Sequence, residues 1–127
     1  MNTPVKFEIA KLLKEKGFDL GVINYYSGLN LYIDELRFNY NDKTIGDSFM
    51  HKRNGGCYSA PTIAEVVVWL YEKHNIWISV DPENDKDTWF HTISYNKSET
   101  IFGNYNTYNS YTEAYEAAIE YTLNNIL

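Results

Sequence analysis

The longest apolar run of the chain lies over residues 60–80, and its period changes part-way along. Thr62 and Glu65 stand three apart just ahead of it, the spacing at which a hydroxyl and a carboxylate cap each other's backbone amides at a helix start. Ile63, Val66, Val67, Leu70 and His74 then recur at helical spacing, while Val68, Trp69 and Tyr71 widen the apolar surface beyond one stripe. Such a helix predicts cover on two sides. Adjacent valines favour extended backbone, because β-branching restricts rotamers in a helix, so the assignment rests on length and on the cap. After Asn75 the period drops to two: Ile76, Ile78 and Val80 share one face, Trp77 and Ser79 the other. This predicts a strand over 76–80, central in its sheet.

The flanking pattern is read in the same way. Thr3 and Pro4 open a helix predicted over 4–16, with Val5, Ile9, Leu12 and Leu13 inward and Gly17–Phe18 as a left-handed cap with its apolar clasp. Residues 19–59 are irregular, with short strand candidates at 22–26, 29–33 and 37–40 and a glycine-bearing connector over 41–59. After a polar run at 81–87, alternation returns over 88–95, with Trp89, His91, Ile93 and Tyr95 on one face, which predicts a hairpin. Residues 101–108 read as a shorter edge strand plus loop. Ser110 and Glu113 repeat the capping spacing, opening a last helix from 111 to about 125.

The predicted class is α+β. An antiparallel sheet of three or more strands carries two helices on one face in α-β-β-β-α order, over 62–126, preceded by the N-terminal helix. The 127 residues form one expected domain.

Composition changes this picture in two ways. Up to Ser59 there are 8 Lys and Arg against 7 Asp and Glu, but from Ala60 onward 3 against 10, so the acidity belongs to the second half. That disfavours binding of nucleic acid through phosphate neutralisation. A single cysteine, no charged-then-apolar leader and no apolar run of about 18 residues lead to an expectation of a cytoplasmic protein without membrane association.

Candidate chemistry is sparse. Cys57 follows Gly55 and Gly56 near His51, a conceivable thiol and base, although a loop cysteine without a local signature is more often inert. His51, His74 and His91 lack ligand spacing, and Asp81, Glu83, Asp85 and Asp87 lack the glycine and distant glutamate of a calcium loop, so neither metal nor cofactor is expected. Tyr105, Asn106 and Tyr108 belong to a Tyr and Asn tract with the chemistry of binding loops. Glu113, Glu116 and Glu120 line one face of the last helix. These six residues are the candidate binding site. An exposed Trp77 face would be unusual on a monomer, and cover from within the chain is expected, with homodimerisation as an addition.

Four stretches, EIAKLLKEKGFD at 8–19, YSAPTIAEVVVWLYEKHNIWI at 58–78, the Trp89–Phe90 strand and YTEAYEAAI at 111–119, resemble a family of small uncharacterised proteins from phage and mobile-element gene content of gut bacteria. That resemblance implies a genomic setting and a fold, with no chemistry attached. The element order from Thr62 is also similar to the double-stranded RNA-binding domain, whose last helix opens with phosphate-gripping lysines. Residues 110–116 here carry none. The expectation is a non-enzymatic accessory protein acting through contacts with a host or phage protein, as an acidic competitor of nucleic acid. An enzyme using Cys57 or His91 is the alternative, and an RNA-binding module a further one.

Overall fold

The computed structural model describes residues 1–42, 57–83, 87–95, 99–103 and 106–127. The chain is mixed α+β, with three α-helices and antiparallel sheets among the described residues. It divides into two compact units, Asn2–Thr62 and Ile63–Leu127 with Met1. Each unit has its own sheet and its own buried residues.

In the N-terminal unit, α1 spans Phe7–Glu15 and buries Ile9, Ala10 and Leu13. It starts later than Pro4. Pro4 instead bridges Thr62, and the Val5 amide donates to the Pro61 carbonyl at 2.9 Å, so the chain stays extended through Lys6. A distant backbone acceptor outweighs the local helix opening, since a paired amide is worth more than an orphan one. The other end follows local rules. Gly17 has φ +87°, the Phe18 amide donates to Leu13 and the Gly17 amide to Lys14, and Phe18 is buried.

Strands β1 (Val22–Ser27), β2 (Asn30–Phe38) and β3 (Cys57–Ser59) form a sheet in the order β2-β1-β3. Gly28 at φ +61° followed by Leu29 closes a two-residue hairpin between Ser27 and Asn30, with glycine where a II′ turn requires it. The two pieces expected at 29–33 and 37–40 are one strand with a bulge: from Asn24↔Ile33 the register jumps to Val22↔Phe38. Tyr25 stacks between Tyr32 and Tyr40, at 5.4 and 4.4 Å between ring centroids. Asn41 ties the sheet to the end of α1 by donating to the Phe18 carbonyl while accepting from the Ser59 amide.

In the C-terminal unit, α2 (Ile63–His74) buries Ile63, Val66, Val67, Trp69 and Leu70. Val68 and Tyr71 remain exposed, so its cover is less complete than its all-round apolar sequence predicts. Asn75 takes φ +55° and turns the chain at once into β4 (Ile76–Pro82). β5 (Trp89–Tyr95) and β6 (Glu99–Gly103) follow, in the order β4-β5-β6. The central strand is thus β5, whereas β4, the expected centre, lies at the edge. Apolar density in β4 reflects cover on its face, by α2 and by the last helix α3 (Tyr111–Tyr121), and says nothing of lateral pairing. Ile78 opposite Ile93, both fully buried, forms the middle of this core. Trp77, on the opposite pleat, is 46% exposed and meets Tyr71 edge-on.

Candidate binding cleft

The second unit holds a cleft whose walls come from three segments. The first is β5. His91 sits opposite Val80 with its side chain on the helix-facing pleat, and it is 2% exposed. Its Nδ1 has no hydrogen-bond partner. Burial pushes its pKa below the ordinary histidine value, because desolvation disfavours the imidazolium, so the ring is neutral at pH 7.

The second segment is the approach to α3. Trp89 and Tyr108 exchange backbone hydrogen bonds at 2.9 and 2.8 Å. That pairing sets the Tyr108 ring against His91, nearly parallel at 24° with centroids 5.7 Å apart. Ser110 then caps the helix, its Oγ accepting from the Glu113 amide, while the Glu113 carboxylate accepts from the Asn109 amide. The capping box reaches one residue further back than the simplest form.

The third segment is α3 and its continuation. Ala117, Glu120 and Tyr121 face the cleft from the helix. Beyond Tyr121 the backbone widens into a π-helical turn over Thr122–Ile126, in which the Leu127 amide donates to Thr122 and the Thr122 hydroxyl to Ala118. The wider turn brings Asn124 and Asn125 to the same wall, and Asn125 Nδ2 donates to the Tyr121 carbonyl at 3.1 Å. Such turns recur at functional sites because they re-aim side chains that a regular helix would spread apart.

The cleft is shallow and widely open to solvent, with a volume of about 380 Å³. Among the described residues its lining holds phenols, carboxamides, a neutral imidazole and the Glu120 carboxylate. Elsewhere on α3, burial and then the Asp81 carboxylate raise the pKa of Tyr115. The arrangement can accept hydrogen bonds from a donor-rich ligand and stack against a planar one.

Two of the six candidate site residues, Tyr108 and Glu120, meet in this cleft, together with His91 of the alternative reading. The others do not line it. Glu113 is occupied as a helix cap, Glu116 is half-buried elsewhere on α3, Asn106 is exposed, and Tyr105 lies outside the described residues. Tyr121, Asn124 and Asn125 were missed. Asn124 follows Glu120 by four, a helical spacing that would have found it; Asn125 reaches the wall only through the π turn.

Cys57 is not a loop residue. It opens β3, is buried, and its carbonyl accepts from Lys14 Nζ at 2.9 Å; His51, its suggested base, lies outside the described residues. His74 packs edge-on against Trp69 at 4.8 Å. Glu83 accepts from the Thr88 hydroxyl and closes the hairpin. Among the described residues, no three His, Cys, Asp or Glu side chains gather as a metal site would need, and no helix is long and apolar enough to cross a membrane. No protein-family model, curated protein or solved structure matches this chain.

Proposed function

We propose that this chain is a non-enzymatic accessory protein, of the phage or mobile-element kind its wording resembles, that acts by docking its C-terminal unit on a basic surface of a partner protein. The observation that carries the reading is the charge of the second half of the chain, which from Ala60 onward opposes 3 Lys and Arg to 10 Asp and Glu, with Glu120 of the last helix at the wall of an open cleft. Glu113 and Glu116 extend the same charge along α3. Carboxylates reached by solvent attract basic segments at long range and lose that attraction as salt screens them.

The test is fluorescence anisotropy with a labelled arginine- and lysine-rich decapeptide at 50 and 300 mM salt. Binding at low salt, weakened at high salt and lost in Glu113→Gln/Glu116→Gln/Glu120→Gln, is expected; glutamine keeps the cap. Equal binding by the triple variant, or none at low salt, would remove the proposal.

A second reading is an enzyme in which His91 serves as a base, favoured by its neutral ring in the cleft wall. Turnover of any compound in a metabolite pool, abolished by His91→Gln in a folded protein, would establish it against the first.

A further inference from the structure

Burial in the N-terminal sheet stops abruptly at β2. Leu31 stands opposite Tyr26 and Ile33 opposite Asn24, so all four share one pleat, the one on which Tyr26 meets Phe7 of α1 edge-on. Asn24 and Tyr26 are buried, whereas Leu31 and Ile33, one strand spacing away, are 46% and 75% exposed, and Leu29 in the turn is exposed as well. We infer that this apolar row is where a second copy of the chain pairs with the first, edge to edge and antiparallel, through residues 30–33 of β2.

The backbone decides the mode of contact. Ser27 and Asn30 close the two-residue turn, so Asn30 and Tyr32 direct their amides and carbonyls to β1, and by alternation Leu31 and Ile33 direct theirs to the other side of β2. Among the described residues that side is the edge of the sheet. Native edges are guarded against pairing by charge, by proline or by a bulge. In β2 such guards occupy only the second half, where Asp34, Glu35 and Arg37 fall between the Ile33 and Phe38 pairings; residues 30–33 carry no charge.

Charge decides the register and the occupant. A two-fold axis through Tyr32 sets Leu31 opposite Ile33 of the second copy, twice, with both pairs exchanging backbone hydrogen bonds and Tyr32 facing itself. Asp34 then lies opposite Asn30 of the second copy and Glu35 opposite its Leu29, so no carboxylate meets a carboxylate. An axis through Asp34 or Glu35 would set like charges face to face, which is destabilising. The strand is complementary to itself over its apolar half and repelled by itself over its acidic half, and this pins the pairing. A basic foreign strand would be drawn to the acidic half instead, and an anionic lipid surface would be repelled by the two carboxylates beside the row. The apolar patch is on the order of a few hundred Å² per copy, at the small end of specific interfaces, so association belongs in the micromolar range.

The experiment is analytical ultracentrifugation of the full chain from about 1 to about 200 µM, with disulfide trapping beside it. The mass should rise with concentration from that of one chain toward that of two. Ile33→Lys should stay monomeric throughout with an unchanged far-UV circular dichroism spectrum, because the replaced side chain stands in water. Tyr32→Cys, on the axis, should cross-link to a dimer under mild oxidation about tenfold faster than Leu36→Cys, which is more exposed but lies in the acidic half; Cys57 is buried and takes no part. Trapping reads the register directly and does not depend on the behaviour of Ile33→Lys. A single-chain mass at every concentration would overturn the inference and leave the row to a partner of other sequence. A dimer that survives Ile33→Lys, or Leu36→Cys cross-linking as fast as Tyr32→Cys, would place the contact elsewhere and overturn it as well. None of these outcomes depends on peptide binding by the C-terminal unit.

Discussion

The two units bury and expose opposite things. The N-terminal unit, nearly balanced in charge, leaves apolar side chains of its hairpin in water, with Leu29 at 76% and Ile33 at 75% exposed. The acidic C-terminal unit buries its aliphatic residues, yet keeps a polar cavity walled by a fully buried histidine. Apolar content therefore predicts neither burial nor function by itself. What separates the units is whether a second layer lies over the strand: β4 lies under α2 and α3 and β5 under α3, whereas β2, at the edge of its sheet among the described residues, is exposed along most of its length.

The sharpest way to break this comparison is to truncate equivalent isoleucines in each unit. Ile78→Ala should cost about 3–4 kcal/mol in urea unfolding, since it opens a cavity between β4 and β5 beneath the helices. Ile33→Ala should change stability by less than about 0.5 kcal/mol. A comparable loss at both sites would show that the hairpin is buried in solution.

Next in size are backbone substitutions in the N-terminal unit. Gly17→Ala and Gly28→Ala place a side chain at φ +87° and +61°, and each should cost about 1 kcal/mol even though nothing crowds the added methyl. Thermal midpoints check this.

Two tyrosines of the same unit refine the point. Tyr26→Phe removes the hydrogen bond to the Val5 carbonyl and should cost about 1 kcal/mol. Tyr40→Phe removes a 3%-exposed hydroxyl whose contact with the Asp34 carboxylate falls short of good hydrogen-bond geometry, and it should cost less than Tyr26→Phe. If Tyr40→Phe is the more costly of the two, the hydroxyl has a partner in solution.

The smallest effects are those of pH, and they have opposite signs in the two units. His91 has a lowered pKa in the folded chain, so below about pH 6.5 the unfolded chain binds more protons and the C-terminal unit loses stability as pH falls. For Tyr40, burial and then the Asp34 carboxylate push the phenol up to about 12 from 10.0; the unfolded chain releases this proton first, so the N-terminal unit loses stability as pH rises across that interval. Urea midpoints followed between pH 7 and 5 should fall in the wild type and flatten in His91→Asn. A wild-type profile that is level there would contradict the buried, neutral imidazole.

Legibility in the sequence was uneven, for identifiable reasons. The end of α1 at Gly17–Phe18, the turn at Asn75 and the cap at Ser110 all depend on contacts within about six residues, and each could be read from spacing. The true start of α1 could not, because the Val5 amide finds its acceptor at Pro61. The cleft was half legible: Glu120 and Tyr108 stood out by type, but their meeting with His91 follows from the Trp89–Tyr108 bridge.

Local chemistry thus determined which segments coil and which extend, the class of the fold, and the acidity of its second half, since these follow from side-chain period, caps and charge along a short length of chain. Strand order, the division into two units, the exposure of β2 and the assembly of the cleft were decided only by tertiary structure. They depend on hydrogen bonds and burial between residues far apart in sequence, and no local pattern encodes which distant partner will be met.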